Sequence, residues 1–265
     1  MSAEKSNTMG ARKSYKTTGF VLRCLNYGES DLIITFYSSE FGKLKGIAKG
    51  AKNSKKRFAN VFEPFSLTNI IFTRKNRDML AFIESCDIID HYSAIRQDLE
   101  KTLIASYFID LADHFSPEGK KNENVFQLLQ DFLQMLGAEK PSEAAVRFFE
   151  IRLLKLAGFE PELKHCITCK TPVANGNSYF FYASEGGIKC DVCARPERYE
   201  QPISAGTVRT LLLGREMDID KIKLIALSDS LAMESRSMLT GFITHVLGRE
   251  VKSLKVLEQV RKLCQ

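Results

Sequence analysis

The chain has 265 residues, of which 44% are hydrophobic and 26% charged, as in an ordinary folded protein with one large domain or two to three smaller ones. No apolar run approaches the roughly 18–20 residues that span a bilayer, and the polar start lacks the apolar segment of a signal peptide, so we expect a cytoplasmic protein. Residues 1–60 hold 12 Lys and Arg against 4 Asp and Glu, whereas the rest of the chain is slightly acidic. This asymmetry predicts a polyanionic partner near the amino end, with nucleic acid first and an anionic membrane second.

Residues 17–90 predict a small β-domain that follows a polar tail. Five segments are rich in β-branched and aromatic residues and are separated by short breaks: TTGFVLRCL, DLIITFYS, KLKGIAK, FEPFSLTNIIFT and DMLAFIESCDII. Pro64 lies in the fourth segment, where a proline is tolerated only at an edge or at a strand start. Five short strands in about 75 residues fit an OB-like barrel, although an SH3-like barrel has the same count.

The hydrophobic period changes from about Ser93, and the rest of the chain is predicted to be largely helical. Ile95, Leu99, Leu103, Tyr107, Leu111 and Phe115 recur every four residues and predict one face of a long helix that SPEG interrupts. A second helix is predicted from about Asn124, with Gly137 as its stop. A third begins after Pro141 with Ser142 as N-cap and ends at Gly158. Helices resume near Ser204, over 229–247 and over 251–263.

Two CxxC pairs carry the most specific chemistry in the sequence. Cys166 and Cys169 form the first pair, and Cys190 and Cys193 form the second, with twenty residues between them. This spacing is typical of a four-thiolate zinc site, since each CxxC turn points two sulfurs at one ion. Between the pairs, SYFFYA reads as a strand and SEGG as a turn, which is zinc-ribbon organisation. A redox dithiol or plain structural cysteines are the alternatives.

Four thiolates saturate a tetrahedral ion, so we expect one structural Zn²⁺ per chain and no catalytic role for it. His165 could replace one cysteine, but with four thiolates present it is expected to be a bystander. The remaining cysteines are isolated. Cys24 and Cys86 fall in apolar strands and are expected in the core, whereas Cys264 is uninformative.

A basic segment, KLKGIAKGAKNSKKR, occupies the third strand and the loop after it. We predict a DNA contact that extends into the tail and the first strand, made by Arg12, Lys13, Arg23, Lys43, Lys45, Lys49, Lys52, Lys55, Lys56 and Arg57. Lysine binds phosphate as a point charge, so binding should be independent of base sequence and sensitive to salt. The alternative is a solubilising loop.

Other residues could assist this contact. Gly46 and Gly50 would let a phosphate backbone approach closely. Tyr27, Tyr37, Phe41 and Phe58 could stack on bases, although each aromatic is also a plausible core residue.

Motifs of common enzymes are absent from the sequence. There is no G-x-x-x-x-G-K-[ST], G-x-G-x-x-G, H-E-x-x-H or G-x-S-x-G, the four histidines are scattered, and no carboxylate cluster suggests a two-metal nuclease. We therefore expect a binding protein and no catalytic residues.

The order of these pieces resembles the bacterial RecO family of recombination mediators. The resemblance runs from about residue 15 to 263 and rests on the start TTGFVLRCLNYGESDLIITFYSSEFGKLKGIAKGAKNSKKR, on LLKLAGFEPELKHCITC and on GREVKSLKVL. It implies an α+β multidomain protein with an N-terminal five-stranded OB-fold, an α-helical C-terminal domain and an inserted zinc-ribbon-like module of four cysteines. The expected organisation is a flexible tail (1–14), the OB-fold (15–90), helical parts (91–160 and 201–265) and the insert (161–200).

The resemblance also implies a function. Such proteins bind single- and double-stranded DNA, anneal complementary strands, and act with RecR, and often RecF, to load RecA onto strands coated by single-stranded DNA-binding protein. A cytoplasmic, nucleoid-associated, non-enzymatic protein with no membrane partner is the expectation. The rival hypotheses are a zinc-ribbon transcription or translation factor, a metal-dependent nuclease and a scaffold that binds only proteins.

Overall fold

The computed structural model describes residues 13–54, 56–76, 79–195 and 201–263. Arg12 and Lys55, two of the expected DNA contacts, lie outside these residues, as does Cys264. The chain divides into two compact units. The first contains the described residues up to His91 together with Pro117–Lys121, and the second contains Tyr92–Ser116 and the residues from Asn122 onward.

The first unit is a closed five-stranded barrel. Its strands are β1 (Ser14–Tyr27), β2 (Asp31–Ser38), β3 (Gly42–Ala48), β4 (Leu67–Thr73) and β5 (Ala81–Asp90). They pair in the order β1-β2-β3-β5-β4, β1 also pairs with β4, and β3 with β5 is the parallel pair. The N-terminal OB-like barrel expected from the sequence is thus confirmed.

Alternation along the strands builds the barrel core. On β3, Leu44, Gly46 and Ala48 are buried, whereas Lys43, Lys45 and Ile47 face outward. The fourth strand begins at Leu67 and not at Phe62, because Phe62 and Phe65 are buried in the turn before it and Pro64 lies outside the strand. The core therefore includes aromatic residues of a connecting segment as well as those of the strands.

The second unit contains the helices. They are α1 (Ser93–Arg96), α2 (Leu99–Phe115), α3 (Glu123–Ala138), α4 (Glu143–Ala157), α5 (Ala205–Glu216), α6 (Ile219–Ile222), α7 (Asp229–Leu247) and α8 (Lys252–Leu263). The Ser142 hydroxyl accepts a hydrogen bond from the Ala145 amide, and Gly158 ends α4 in the left-handed conformation, as the sequence predicted.

One predicted helix face is wrong in detail. The stripe from Ile95 to Phe115 is broken between α1 and α2, where the Asp98 carboxylate caps the new helix by accepting from the Lys101 amide. Leu99 is consequently 63% exposed. Because a true helix repeats every 3.6 residues and not every four, the buried face drifts to Ile104, Tyr107, Phe108 and Leu111.

A network of charged side chains lies inside the second unit. Arg147 and Glu150 of α4 are fully buried, and the Tyr107 hydroxyl of α2 donates to Glu150 at 2.6 Å. Glu143 accepts from Arg236 of α7 at 2.9 Å and from Arg261 of α8 at 2.7 Å. Polar contacts thus link four helices across their packed faces.

The segment between α4 and α5 carries the cysteines on a small sheet. Its strands are β6 (Ser178–Tyr182), β7 (Gly187–Cys190) and β8 (Gln201–Ser204), and β6 lies in the middle. The predicted strand and turn are confirmed, the turn leads into β7, and β8 was not foreseen. The Phe181 ring packs edge-on against Phe242 of α7, with 5.4 Å between centroids, so the sheet shares a core with the helices.

None of the helices among the described residues combines the length and apolar character that a bilayer crossing requires.

Candidate nucleic-acid interface and cysteine cluster

Four cysteine sulfurs meet at one point of the second unit. The Sγ atoms of Cys166, Cys169, Cys190 and Cys193 all lie within 4.8 Å of one another. Those of Cys169 and Cys190 are 3.7 Å apart. Four sulfurs around a tetrahedral Zn²⁺ at about 2.3 Å would be separated by about 3.8 Å. The donor set and its spacing therefore fit a metal ion of this kind, and the four cysteines could hold one.

Backbone hydrogen bonds shape both CxxC turns. The Lys170 amide donates to the Cys166 carbonyl at 2.9 Å, and Lys170 takes a positive φ of 62° as the chain leaves the turn. In the second turn the amides of Cys193 and Ala194 both donate to the Cys190 carbonyl, at 3.0 and 2.8 Å. Two tight turns of the backbone thus direct the four sulfur atoms toward one another.

The local electrostatics are consistent with a cation site. The hydroxyl and amide of Thr171 lower the pKa of Cys169 to about 6. Hydrogen bonds with the sulfurs of Cys169 and Cys190 raise the pKa of Cys193 to about 12. The pKa values of two neighbouring thiols are thus shifted in opposite directions, and a bound cation would favour the thiolate form of all four cysteines.

His165 and the isolated cysteines Cys24 and Cys86 are not part of the cluster. His165 lies outside it and places Nδ1 3.7 Å from Glu162. Cys86 is buried, and its burial raises the pKa of its thiol to about 12. Cys24 is half-buried, and burial raises its thiol pKa too. Neither thiol is poised to react.

Several of the predicted basic residues come together on the outside of the barrel. Thr35 of β2 pairs with Arg23 of β1 on one side and with Lys45 of β3 on the other. Since neighbouring strands are about 4.8 Å apart, the backbones of Arg23 and Lys45 lie on one row about 10 Å from each other. Both side chains are exposed. Lys43, on the same face of β3, is half-buried.

Lys13 and Arg74 form a second group of cations on the barrel unit, around the Tyr15 ring. The Lys13 Nζ lies 5.5 Å from the centre of the Tyr15 ring, and the Arg74 guanidinium lies 5.9 Å from the same ring. Arg74 also lies over the rings of Phe41 and Phe72. Arg74, which follows β4 and could extend the expected DNA contact, thus lies close to Lys13.

The basic loop after β3 is anchored to the turn between β1 and β2. The Gly50 amide donates to Asp31 Oδ1 at 2.8 Å, and the Lys52 amide donates to the Ser30 carbonyl at 3.0 Å. Lys52 Nζ also donates to the Gly28 carbonyl at 2.9 Å. The residues GESD, from Gly28 to Asp31, thereby fix where the loop begins.

The cations of this loop are not equally available. Arg57 donates to the Lys49 carbonyl at 3.3 Å and lies over the Phe58 ring. Lys52 is engaged as described above. The ammonium groups of Lys49 and Lys56 are exposed and have no ion pair within the described part of the chain.

A segment distant in sequence reaches the basic row. Pro117–Lys121, here called the strap, connects α2 to α3 but belongs to the barrel unit. Its Gly119 amide donates to the Lys43 carbonyl at 3.0 Å, and its Glu118 carboxylate forms an ion pair with Lys45. Sequence reasoning missed Glu118, since no local pattern relates it to a strand more than 70 residues earlier.

Most of the aromatic residues proposed to stack on bases are core residues. Tyr37 and Phe58 are buried, and Phe41 packs against Tyr15 and Phe72. Tyr27 alone among the four is largely exposed, at 54%. Gly46 also faces inward, where a Cβ would overlap Ile83, so it serves barrel packing and not phosphate approach. Gly50, by contrast, borders open space.

Comparison with known proteins finds family models and relatives that match most of this chain. The family model "Recombination protein O N terminal" matches residues 11–92, and "Recombination protein O C terminal" matches residues 96–255. A DNA repair protein RecO from Syntrophus aciditrophicus is 49% identical over 259 residues, which cover 96% of this chain and 99% of that protein. A second from Anaeromyxobacter sp. is 34% identical over 248 residues, covering 94% and 97%. A third from Caldicellulosiruptor saccharolyticus is 30% identical over 249 residues, covering 94% and 100%.

Proposed function

The chain belongs to the RecO family of DNA repair proteins, and we propose that it binds single- and double-stranded DNA, anneals complementary strands, and helps to load recombinase onto strands coated by single-stranded DNA-binding protein. Its partners in this proposal are RecR, RecF and the single-stranded DNA-binding protein, with RecA served indirectly. The setting is recombination repair by the RecF pathway in the cytoplasm, at the nucleoid.

The observation that carries this proposal is the clustering of cations on one barrel. Arg23 and Lys45 share a row through Thr35, Lys13 and Arg74 share the Tyr15 ring, and Lys49 and Lys56 extend exposed from the anchored loop. Annealing needs two strands held close while their mutual repulsion is neutralised, and a dense set of surface cations supplies that. We assign the DNA contact to this set, together with Arg12, Lys43, Lys52, Lys55 and Arg57.

The proposed activity needs no bond chemistry from the protein. Pairing of complementary bases forms and breaks no covalent bond, so neither a nucleophile nor a nucleotide site is required. We propose that the cysteine cluster binds one Zn²⁺ per chain, which would hold the two CxxC turns together and leave no open coordination position. Its role would be to stabilise the fold.

The test is an annealing assay with complementary oligonucleotides and no nucleotide cofactor, with and without saturating single-stranded DNA-binding protein. We expect duplex formation to be faster than the spontaneous reaction in both cases. Binding without acceleration would indicate a nucleic-acid-binding factor of another type, and magnesium-dependent cleavage would indicate a nuclease. Failure to shift DNA at moderate salt would overturn the proposal as a whole.

A further inference from the structure

A cleft on the barrel unit combines cations with exposed apolar side chains. Its volume is about 480 Å³, which is within the range of sites for small ligands. Its lining residues all belong to the barrel unit and its strap: Lys43, Leu44, Lys45, Arg74, Met79, Leu80, Glu118 and Gly119. Three cations and one carboxylate leave the cleft net positive.

The residues that line the cleft are of two chemical kinds. Met79 is 52% exposed and Leu80 44% exposed, so an apolar surface stands beside the ammonium and guanidinium groups. A nucleotide has the same two parts, since its phosphate is anionic and its base has an apolar face. Thioether and aliphatic groups pack well against flat rings. The charge pattern therefore fits one nucleotide of a single strand, whose bases are unpaired and accessible.

The Glu118 carboxylate already supplies one anion within this cleft. It pairs with Lys45, and the strap that carries it is fixed by its backbone, through the hydrogen bond from Gly119 to Lys43. Gly42, beneath the strap, has a positive φ of 65°, and any Cβ there would overlap the Lys120 carbonyl oxygen. The carboxylate is thus presented to Lys45 by the fold.

This ion pair can still be exchanged for a phosphate. The Lys45 side chain is 47% exposed and that of Glu118 is 59% exposed. Exposed pairs contribute little to stability because water and salt screen them. A phosphate arriving on a strand that is already bound at neighbouring cations can therefore displace the carboxylate without disturbing the strap.

We propose that this cleft is a subsite for one nucleotide of single-stranded DNA, in which Lys45 binds the phosphate, Met79 and Leu80 contact the base, and Glu118 is an internal competitor for the phosphate. The proposal rests on the proposed function and deepens it. Its consequence is that native affinity for single strands is held below the level that the cations alone would give.

The first experiment is a double-mutant cycle measured with an oligothymidylate at fixed salt. We expect Glu118→Gln to tighten binding by about two- to fivefold, which is the range that an exposed ion pair supports. In a Lys45→Gln background the same substitution should tighten binding no more than the control substitution does. Asp87→Asn is the matched control, because Asp87 is an exposed carboxylate of β5 outside the cleft. Thermal unfolding would verify that all variants are folded.

The second experiment separates phosphate from base contacts. Met79→Ala should weaken binding of an oligothymidylate and leave binding of an abasic oligonucleotide of equal length unchanged. Equal losses on both strands would overturn the base contact.

If Glu118→Gln tightens binding as much in the Lys45→Gln background, or no more than Asp87→Asn does, the competitor role is wrong although the protein binds DNA. If the wild-type protein binds neither strand, the proposed function fails together with the subsite.

Discussion

Arg147 Nη1 lies 2.9 Å from Glu150 Oε2, and neither side chain reaches solvent. One turn of α4 thus places two ionisable side chains next to each other in the middle of the helical core. Burial is the main reason why the pKa of Glu150 is raised to about 7, although the Arg147 charge and the Tyr107 hydroxyl both act to lower it. Desolvation therefore outweighs the attraction between the two groups.

We predict that this group makes the stability of the helical unit depend on pH. In the unfolded chain Glu150 loses its proton near pH 4.5, whereas in the folded protein it keeps the proton until about pH 7. The folded state binds more protons in this window, so the free energy of unfolding falls as pH rises through it, by on the order of 3 kcal/mol at most. Below and above the window this contribution is constant.

Glu150→Gln checks this prediction, because the amide oxygen can still accept from Tyr107 and the side chain can no longer ionise. Urea unfolding at several pH values should show a smaller fall in unfolding free energy between pH 4.5 and 7 than for the wild type. Glu139→Gln, at an exposed position, should keep the wild-type slope. A variant at position 150 with an unchanged slope would mean that Glu150 is ionised throughout.

We predict that the exposed lysines of the basic loop set the salt dependence of DNA binding. Lys49→Gln combined with Lys56→Gln should weaken binding to single strands and reduce the slope of log K against log salt by about 1.4, because each lost phosphate contact contributes about 0.7. Fluorescence anisotropy over a salt series measures both quantities. Lys252→Gln with Lys262→Gln, on α8, is the control and should leave both unchanged; identical slopes in the two pairs would exclude the loop.

We predict that purified, reduced protein carries about one zinc ion per chain. Cys169→Ser should lose the ion, and so should the wild type in strong chelator, because three thiolates bind more weakly than four. The segment 166–193 should then become sensitive to protease while the helical circular dichroism is largely retained. Cys24→Ser should keep the metal and the protease resistance. A folded, reduced wild type without metal would contradict the prediction.

We predict that Gly42 is required for the seating of the strap. Gly42 and Gly50 both have φ of 65°, but a Cβ overlaps Lys120 only at position 42. Gly50→Ala should cost roughly 1 kcal/mol of unfolding free energy, from the left-handed backbone alone. Gly42→Ala should cost about 1–3 kcal/mol more and expose 117–121 to protease. Equal costs for the two variants would indicate that the strap does not press on Gly42.

Local patterns in the sequence predicted much of this fold. Alternation marked the five strands, Ser142 and Gly158 marked the ends of α4, and the spacing of the four cysteines placed them around one point, since each of these features is decided by neighbours along the chain. The same reasoning could not place Glu118 beside Lys45, because that contact depends on how two distant segments meet. It also gave no hint that Arg147 and Glu150 are buried, since charges three residues apart on a helix usually lie on its surface.

The strap has a consequence for how the chain can be divided. Five residues lying between α2 and α3 belong to the barrel unit, so the polypeptide enters that unit twice. A truncation after residue 91 would yield a barrel without the strap, and Lys45 would lose its neighbouring carboxylate. DNA binding measured on such a fragment would therefore not represent the intact chain. A hybrid that exchanges only the amino-terminal part between relatives would place the Lys45 of one protein beside the strap of the other.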